Sequence, residues 1–148
     1  RLMSNIREEK GYTYGISSSV AAMRYSSYLV ISTQTGTEFT RPLIDEVFAE
    51  IERLRHEPIP ADELTVVKNY LRGDMARTLD SPFSIADYYL SLKANALTTD
   101  YFARQDEAIR RLTANDLLEA AHRYLEPDRF YIAVAGDREK IPELSLPR

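Results

Sequence analysis

IREEKGYTYGISSSVAAMRYSSYLVISTQTG, residues 6–36, decides how this chain folds, because its hydrophobic period changes on both sides of a glycine. Before Gly11, Leu2, Met3 and Ile6 fall on one side of a helix, so residues 2–10 read as the last turns of one. Gly11 stands where a left-handed residue ends a helix, and Lys10 sits favourably near the negative end of the helix dipole. Beyond it the period drops to 2. Residues 14–21 alternate so that Tyr14, Ile16, Ser18 and Val20 share a face, and residues 27–33 are rich in β-branched and aromatic side chains. The link Met23-Arg24-Tyr25 makes the two runs a β-hairpin, although it lacks the Asn-Gly or Gly-Gly that would specify its turn type.

After Gly36 the period becomes 3.6. Pro42 belongs to a first helical turn, and Leu43, Val47, Ile51 and Leu54 form an apolar stripe that ends at Glu57-Pro58-Ile59-Pro60. Pro60 opens a second helix, with Asp62 and Glu63 in its first turn and a stripe at Leu64, Val67, Leu71 and Met75. Ser81 caps a third helix with Pro82 at its first position, because a serine hydroxyl accepts from the free amides of the opening turn. A fourth helix begins near Thr99-Asp100, and a fifth at Thr113, with Asp116 placed as in a capping box. Residues 130–135, Phe-Tyr-Ile-Ala-Val-Ala, read as a last strand closed by Gly136-Asp137, and residues 142–148 as a loose tail. The order of helix end, hairpin, consecutive helices and one strand predicts an α+β fold with a mostly antiparallel sheet, not alternating βαβ units.

Three strands are a thin sheet for so many helices, and the chain opens at Arg1-Leu2-Met3-Ser4 in mid-helix style. The expectation is a single partial domain over residues 1–148, truncated on its N-terminal side, with upstream strands and a helix missing. The 148 residues are 44% hydrophobic and 28% charged, which fits a globular chain and argues against disorder. A net charge of −4 without a basic cluster argues against a nucleic-acid partner, and no apolar run approaches the roughly 20 residues of a membrane span. With no Cys there is no disulfide, thiolate nucleophile or cysteine-type zinc site. Arg outnumbers Lys fifteen to four, which points to a high-GC bacterial genome.

Tests for familiar chemistry fail one after another. Zinc catalysis usually takes three protein ligands, and the chain has only His56 and His122. His56-Glu57 starts like H-E-x-x-H, but Pro58 and Pro60 stand where the helix and second His should be, and H-x-x-E-H is also absent. Glu119 and His122 make one Glu-x-x-His pair where a di-iron bundle needs two. Gly15-Ile16-Ser17 lacks the second glycine of a nucleophile elbow, and Gly36 alone cradles no phosphate. What remains is Arg7, one turn before Gly11, and Tyr14, three residues after it. A helix that ends at Gly11 and turns into a strand can bring a guanidinium fork and a phenol together, a pair suited to gripping carbonyl oxygens. On residue chemistry alone the plainer reading is favoured: an arginine near a helix end and an ordinary strand aromatic.

Residues 2–14, Leu-Met-Ser-Asn-Ile-Arg-Glu-Glu-Lys-Gly-Tyr-Thr-Tyr, resemble the L-x-x-x-[LIV]-R-E-x-[KR]-G-L-x-Y segment of M16 zinc metallopeptidases, the pitrilysin and insulinase-like family. The likeness extends through the hairpin, Ile59-Pro60-Ala61-Asp62-Glu63-Leu64, Leu71-Arg72-Gly73 and Val134-Ala135-Gly136-Asp137. The resemblance implies an M16 peptidase-like half-domain, one of two similarly folded halves around a chamber. Zinc is expected on the other half, a partner domain or subunit, with none held here. It also implies that Arg7 and Tyr14 hold the carbonyls of a peptide substrate and stabilise the oxyanion. Such a chain alone would be inactive as a peptidase. The alternative the resemblance allows is a structural or interaction domain of the same fold. Tyr12 stands where Leu is commoner, and Tyr14 takes the role by its spacing from Arg7. An exported, periplasmic location is the expectation by analogy with bacterial relatives.

Overall fold

The computed structural model describes residues 1–141 and Leu144; the remaining residues of the predicted tail lie outside the described residues. Met3–Glu9 form a π-helical segment, marked by the Lys10 N–H donating to the Asn5 carbonyl at 3.0 Å. The predicted helix end is therefore present, but more loosely wound than an α-helix. Gly11 adopts φ +68°, and its N–H donates to the Arg7 carbonyl while that of Tyr12 donates to Ile6. The left-handed glycine expected from sequence thus closes the segment and turns the chain into the hairpin.

The hairpin consists of β1, Thr13–Ala22, and β2, Ser27–Thr35, and among the described residues these two strands make up the sheet. Among the described residues five α-helices follow: α1 Thr40–His56, α2 Ala61–Arg77, α3 Pro82–Ala94, α4 Tyr101–Arg111 and α5 Ala114–Tyr124. The α+β class holds. Two sequence-based caps appear as expected. The Ser81 hydroxyl accepts from the Ser84 N–H at 3.0 Å, and Thr113 and Asp116 exchange backbone-to-side-chain bonds of 2.7 and 3.2 Å.

The chain divides into two compact units. The first comprises residues 1–21, 28–57 and 118–148, and the second residues 22–27 and 58–117. The core of the first unit joins Ile6 and Ile16 to the α1 stripe of Leu43, Val47, Phe48 and Ile51. Ile6 is completely enclosed. Each such side chain contributes about 1.5–3 kcal/mol on burial, so this cluster dominates the stability of the unit. In the second unit α2 and α4 are joined by Arg72 Nε to Asp106 Oδ1 at 2.6 Å and by Lys68 Nζ to the Arg110 carbonyl at 2.9 Å. Tyr88 of α3 meets Phe102 of α4 edge to face.

Two expectations change. The stripe predicted for α2 has the right period but is not buried, with Val67 and Leu71 exposed. A stripe records which face can be covered, and what covers it is decided elsewhere. Residues 130–135 are not a strand. Phe130 has extended backbone at φ −85°, ψ 141°, yet no ladder forms, because a β-strand needs a hydrogen-bonded neighbour as well as β-rich residues.

Candidate functional site

The π-helical segment that carries Arg7 is held against α1 by polar contacts on its other side. Asn5 Nδ2 donates to Glu46 Oε2 and Glu50 Oε1, both at 3.0 Å, and Lys10 Nζ pairs with Glu46 Oε1 at 2.8 Å. Glu50 is a buried carboxylate, and Arg53 Nη1 at 3.1 Å supplies its charged partner. Hydrogen bonds from Lys10 first, and then from Asn5, hold the Glu46 carboxyl below its ordinary range; the bond to Glu46 raises Lys10 above its own. These contacts fix the segment's rotation on α1, and so the direction Arg7 takes. The winding matters as well, since π-type turns in helices occur disproportionately at functional positions.

Tyr14 is positioned by the start of the hairpin. Burial along β1 runs from Thr13 to Ile16, a spacing of three where strict alternation predicts two. Thr13 is anchored in place: its hydroxyl donates to the Gln34 carbonyl at 2.6 Å and accepts from the Gly15 N–H at 3.1 Å. Thr33 Oγ1 donates to the Gly15 carbonyl at 2.9 Å, and Thr35 Oγ1 to that of Tyr12 at 2.6 Å. With Thr13 turned inward, Tyr14 projects outward and is 97% exposed, although Ile16, two residues on, is buried.

Arg7 and Tyr14 line one concavity of about 630 Å³, together with Gly11, Tyr12, Gln34 and Phe39. Among the described residues, neither the Arg7 guanidinium nor the Tyr14 hydroxyl has an ion pair or hydrogen bond. Both side chains therefore face solvent in the same cleft. Tyr12 stacks on Phe39, with ring centroids 5.2 Å apart and planes 19° off parallel, and gives the cleft an aromatic wall. Sequence reasoning singled out Arg7 and Tyr14 but missed Phe39 and Gln34. Their proximity to Gly11 follows from hairpin pairing, which no local pattern reveals.

His56 and His122 meet edge to face, with ring centroids 5.6 Å apart, and His56 Nδ1 is engaged by the Glu52 carbonyl at 2.9 Å. Among the described residues no third ligand joins them. No described helix is long and apolar enough to cross a membrane.

Residues 1–71 match the family model described as the peptidase M16 inactive domain. No curated protein matches the chain. The crystal structure of a peptidase M16 inactive domain from Pseudomonas fluorescens superposes with a TM-score of 0.72 at 25% identity, over 84% of this chain and 30% of that one. The chain is thus similar to M16 inactive domains, in sequence over its first 71 residues and in fold over most of its length, and it spans under a third of that structure's chain.

Proposed function

We propose that this chain acts as part of the half of an M16-type zinc peptidase that binds no zinc, with Arg7 and Tyr14 orienting a peptide substrate toward a zinc site on a partner domain or subunit. The observation that carries this reading is the shared cleft, where two unengaged donors sit in the segment covered by the family match. In this reading zinc and its activated water sit on the partner. This chain's contribution is positional and electrostatic. The Arg7 fork donates to successive backbone carbonyls of an extended peptide, and the Tyr14 hydroxyl donates to the carbonyl oxygen that gains negative charge under attack.

A donor of this kind contributes about 2.7–4 kcal/mol to transition-state stabilisation, or roughly 10²–10³ in kcat. The test is peptide cleavage by this chain combined with a zinc-bearing M16 partner. Tyr14→Phe is expected to lower kcat within that range while leaving assembly intact, and Arg7→Ala to raise KM as well. The chain without a partner is expected to cleave nothing. A second reading, an interaction domain of the same fold with no proteolytic role, draws on the exposed Val66, Tyr70, Phe83 and Leu90 of α2 and α3. Unchanged cleavage in both variants would favour it.

A further inference from the structure

An extended peptide presents a carbonyl and, proline aside, an N–H at every residue, so a site that grips its backbone needs acceptors as well as donors. The cleft around Arg7 and Tyr14 is rich in donors. A guanidinium can only donate, and among the described residues no carboxylate lines the cleft. Two of its hydroxyls are committed to the fold. Thr13 Oγ1 donates to the Gln34 carbonyl and accepts from the Gly15 N–H, and Thr35 Oγ1 donates to the Tyr12 carbonyl at 2.6 Å.

Gln34 supplies the acceptor. Along β2, Leu29, Ile31, Thr33 and Thr35 are half-buried and the residues between them are exposed, so Gln34 stands on the outer face. The Thr13 bond to its backbone carbonyl, at 2.6 Å, sets it against the start of β1, where Tyr14 projects outward. Among the described residues the Gln34 carboxamide itself has no hydrogen bond. The backbone at Gln34 is thus fixed by a bond in which its side chain takes no part, and that side chain is open to a ligand. A carboxamide also suits this cleft better than a carboxylate. It accepts through Oε1 without charge, whereas a carboxylate in the same cleft would compete with substrate carbonyls for the Arg7 guanidinium.

We infer that Gln34 is a further substrate-binding residue: its Oε1 accepts from one backbone N–H of the peptide whose carbonyls Arg7 and Tyr14 hold, and so fixes the register of that peptide in the cleft. The inference rests on the roles proposed above for Arg7 and Tyr14. With Gln34 added, the cleft reads both halves of the peptide unit. Recognition of this kind runs through the backbone and is indifferent to most side chains at the residue concerned. It rejects proline there, which has no N–H to give.

The test uses the 148-residue chain and a blocked, uncharged hexapeptide, Ala-Ser-Ala-Ser-Ala-Ser, with a series in which one amide at a time becomes an ester and so loses its N–H. Binding is followed by NMR titration through the backbone amides of residues 11–14. Gln34→Leu changes an exposed side chain that bonds nothing in the fold, and it is expected to bind the hexapeptide about two- to tenfold more weakly. One ester should lose a similar factor against the wild type and little against Gln34→Leu, a coupling that a merely distorted cleft does not produce. Full binding by Gln34→Leu, with Arg7→Ala and Tyr14→Phe both weakened, would overturn this inference alone. An ester series that behaves alike in the wild type and Gln34→Leu would overturn it too, because the N–H is then read elsewhere. Full binding by Arg7→Ala and Tyr14→Phe would overturn the roles on which it rests, and the inference with them. So would absence of binding to the wild type at millimolar peptide.

Discussion

Gly11 and Gly73 allow one substitution to be read twice with opposite signs. A Cβ built on either glycine meets no heavy atom within 4 Å, so crowding opposes alanine at neither position. They differ in backbone alone: Gly11 has φ +68°, and Gly73 lies within α2. At Gly11 an alanine enters the left-handed region at about 1–2 kcal/mol. The stiffer unfolded chain returns about 0.4–1 kcal/mol of that. Gly11→Ala should therefore destabilise the first unit by about 0.5–1 kcal/mol. Gly73→Ala gains from the same unfolded-state effect in a conformation alanine prefers, and should stabilise the second unit by about 0.5–1 kcal/mol. Native-state amide exchange resolves stability region by region, and it is read on α1 for Gly11→Ala and on α2 for Gly73→Ala. The reasoning fails if Gly11→Ala slows exchange in α1, or if Gly73→Ala accelerates it in α2. Gly11 also reverses the chain between Arg7 and Tyr14, so Gly11→Ala should reduce cleavage in the reconstituted enzyme more than its loss of stability explains.

Ser81→Ala removes the acceptor for the Ser84 N–H and should destabilise the start of α3 by about 1 kcal/mol, seen as faster exchange in its first turn; unchanged exchange there would mean water replaces the cap at no cost. Glu46 is held below its ordinary value of 4.5, mainly by Lys10 and then Asn5, so its contribution is complete above that value and is lost as pH falls through the lower folded-state pKa. Protection factors in residues 3–9 should therefore drop below about pH 4.5 in the wild type and be flatter in Glu46→Gln, and an equally steep drop in both would assign the effect to another carboxylate. The cleavage assays of Tyr14→Phe and Arg7→Ala complete the set, and each can fail without the other.

Local chemistry was legible from the sequence wherever a feature closes within a few residues. Gly11 as a left-handed terminator, the Ser81 cap, the Thr113–Asp116 exchange and the α1 stripe all appear in the structure, because each depends on backbone geometry or on side chains within about one helical turn. The stripe of α2 and the strand character of residues 130–135 were equally plain in the sequence, but both describe a capacity to pair or pack that the described residues leave unmet. The candidate site divides in the same way. The seven-residue spacing of Arg7 and Tyr14 around a turning glycine could be read directly. That both side chains line one cleft, unengaged and beside the Tyr12–Phe39 stack, was decided by the Asn5 and Lys10 contacts to α1 and by the inward turn of Thr13. Those contacts join residues 21 to 45 apart in the chain. Periodicity carries no information over such separations, and only the folded backbone brings their partners within reach.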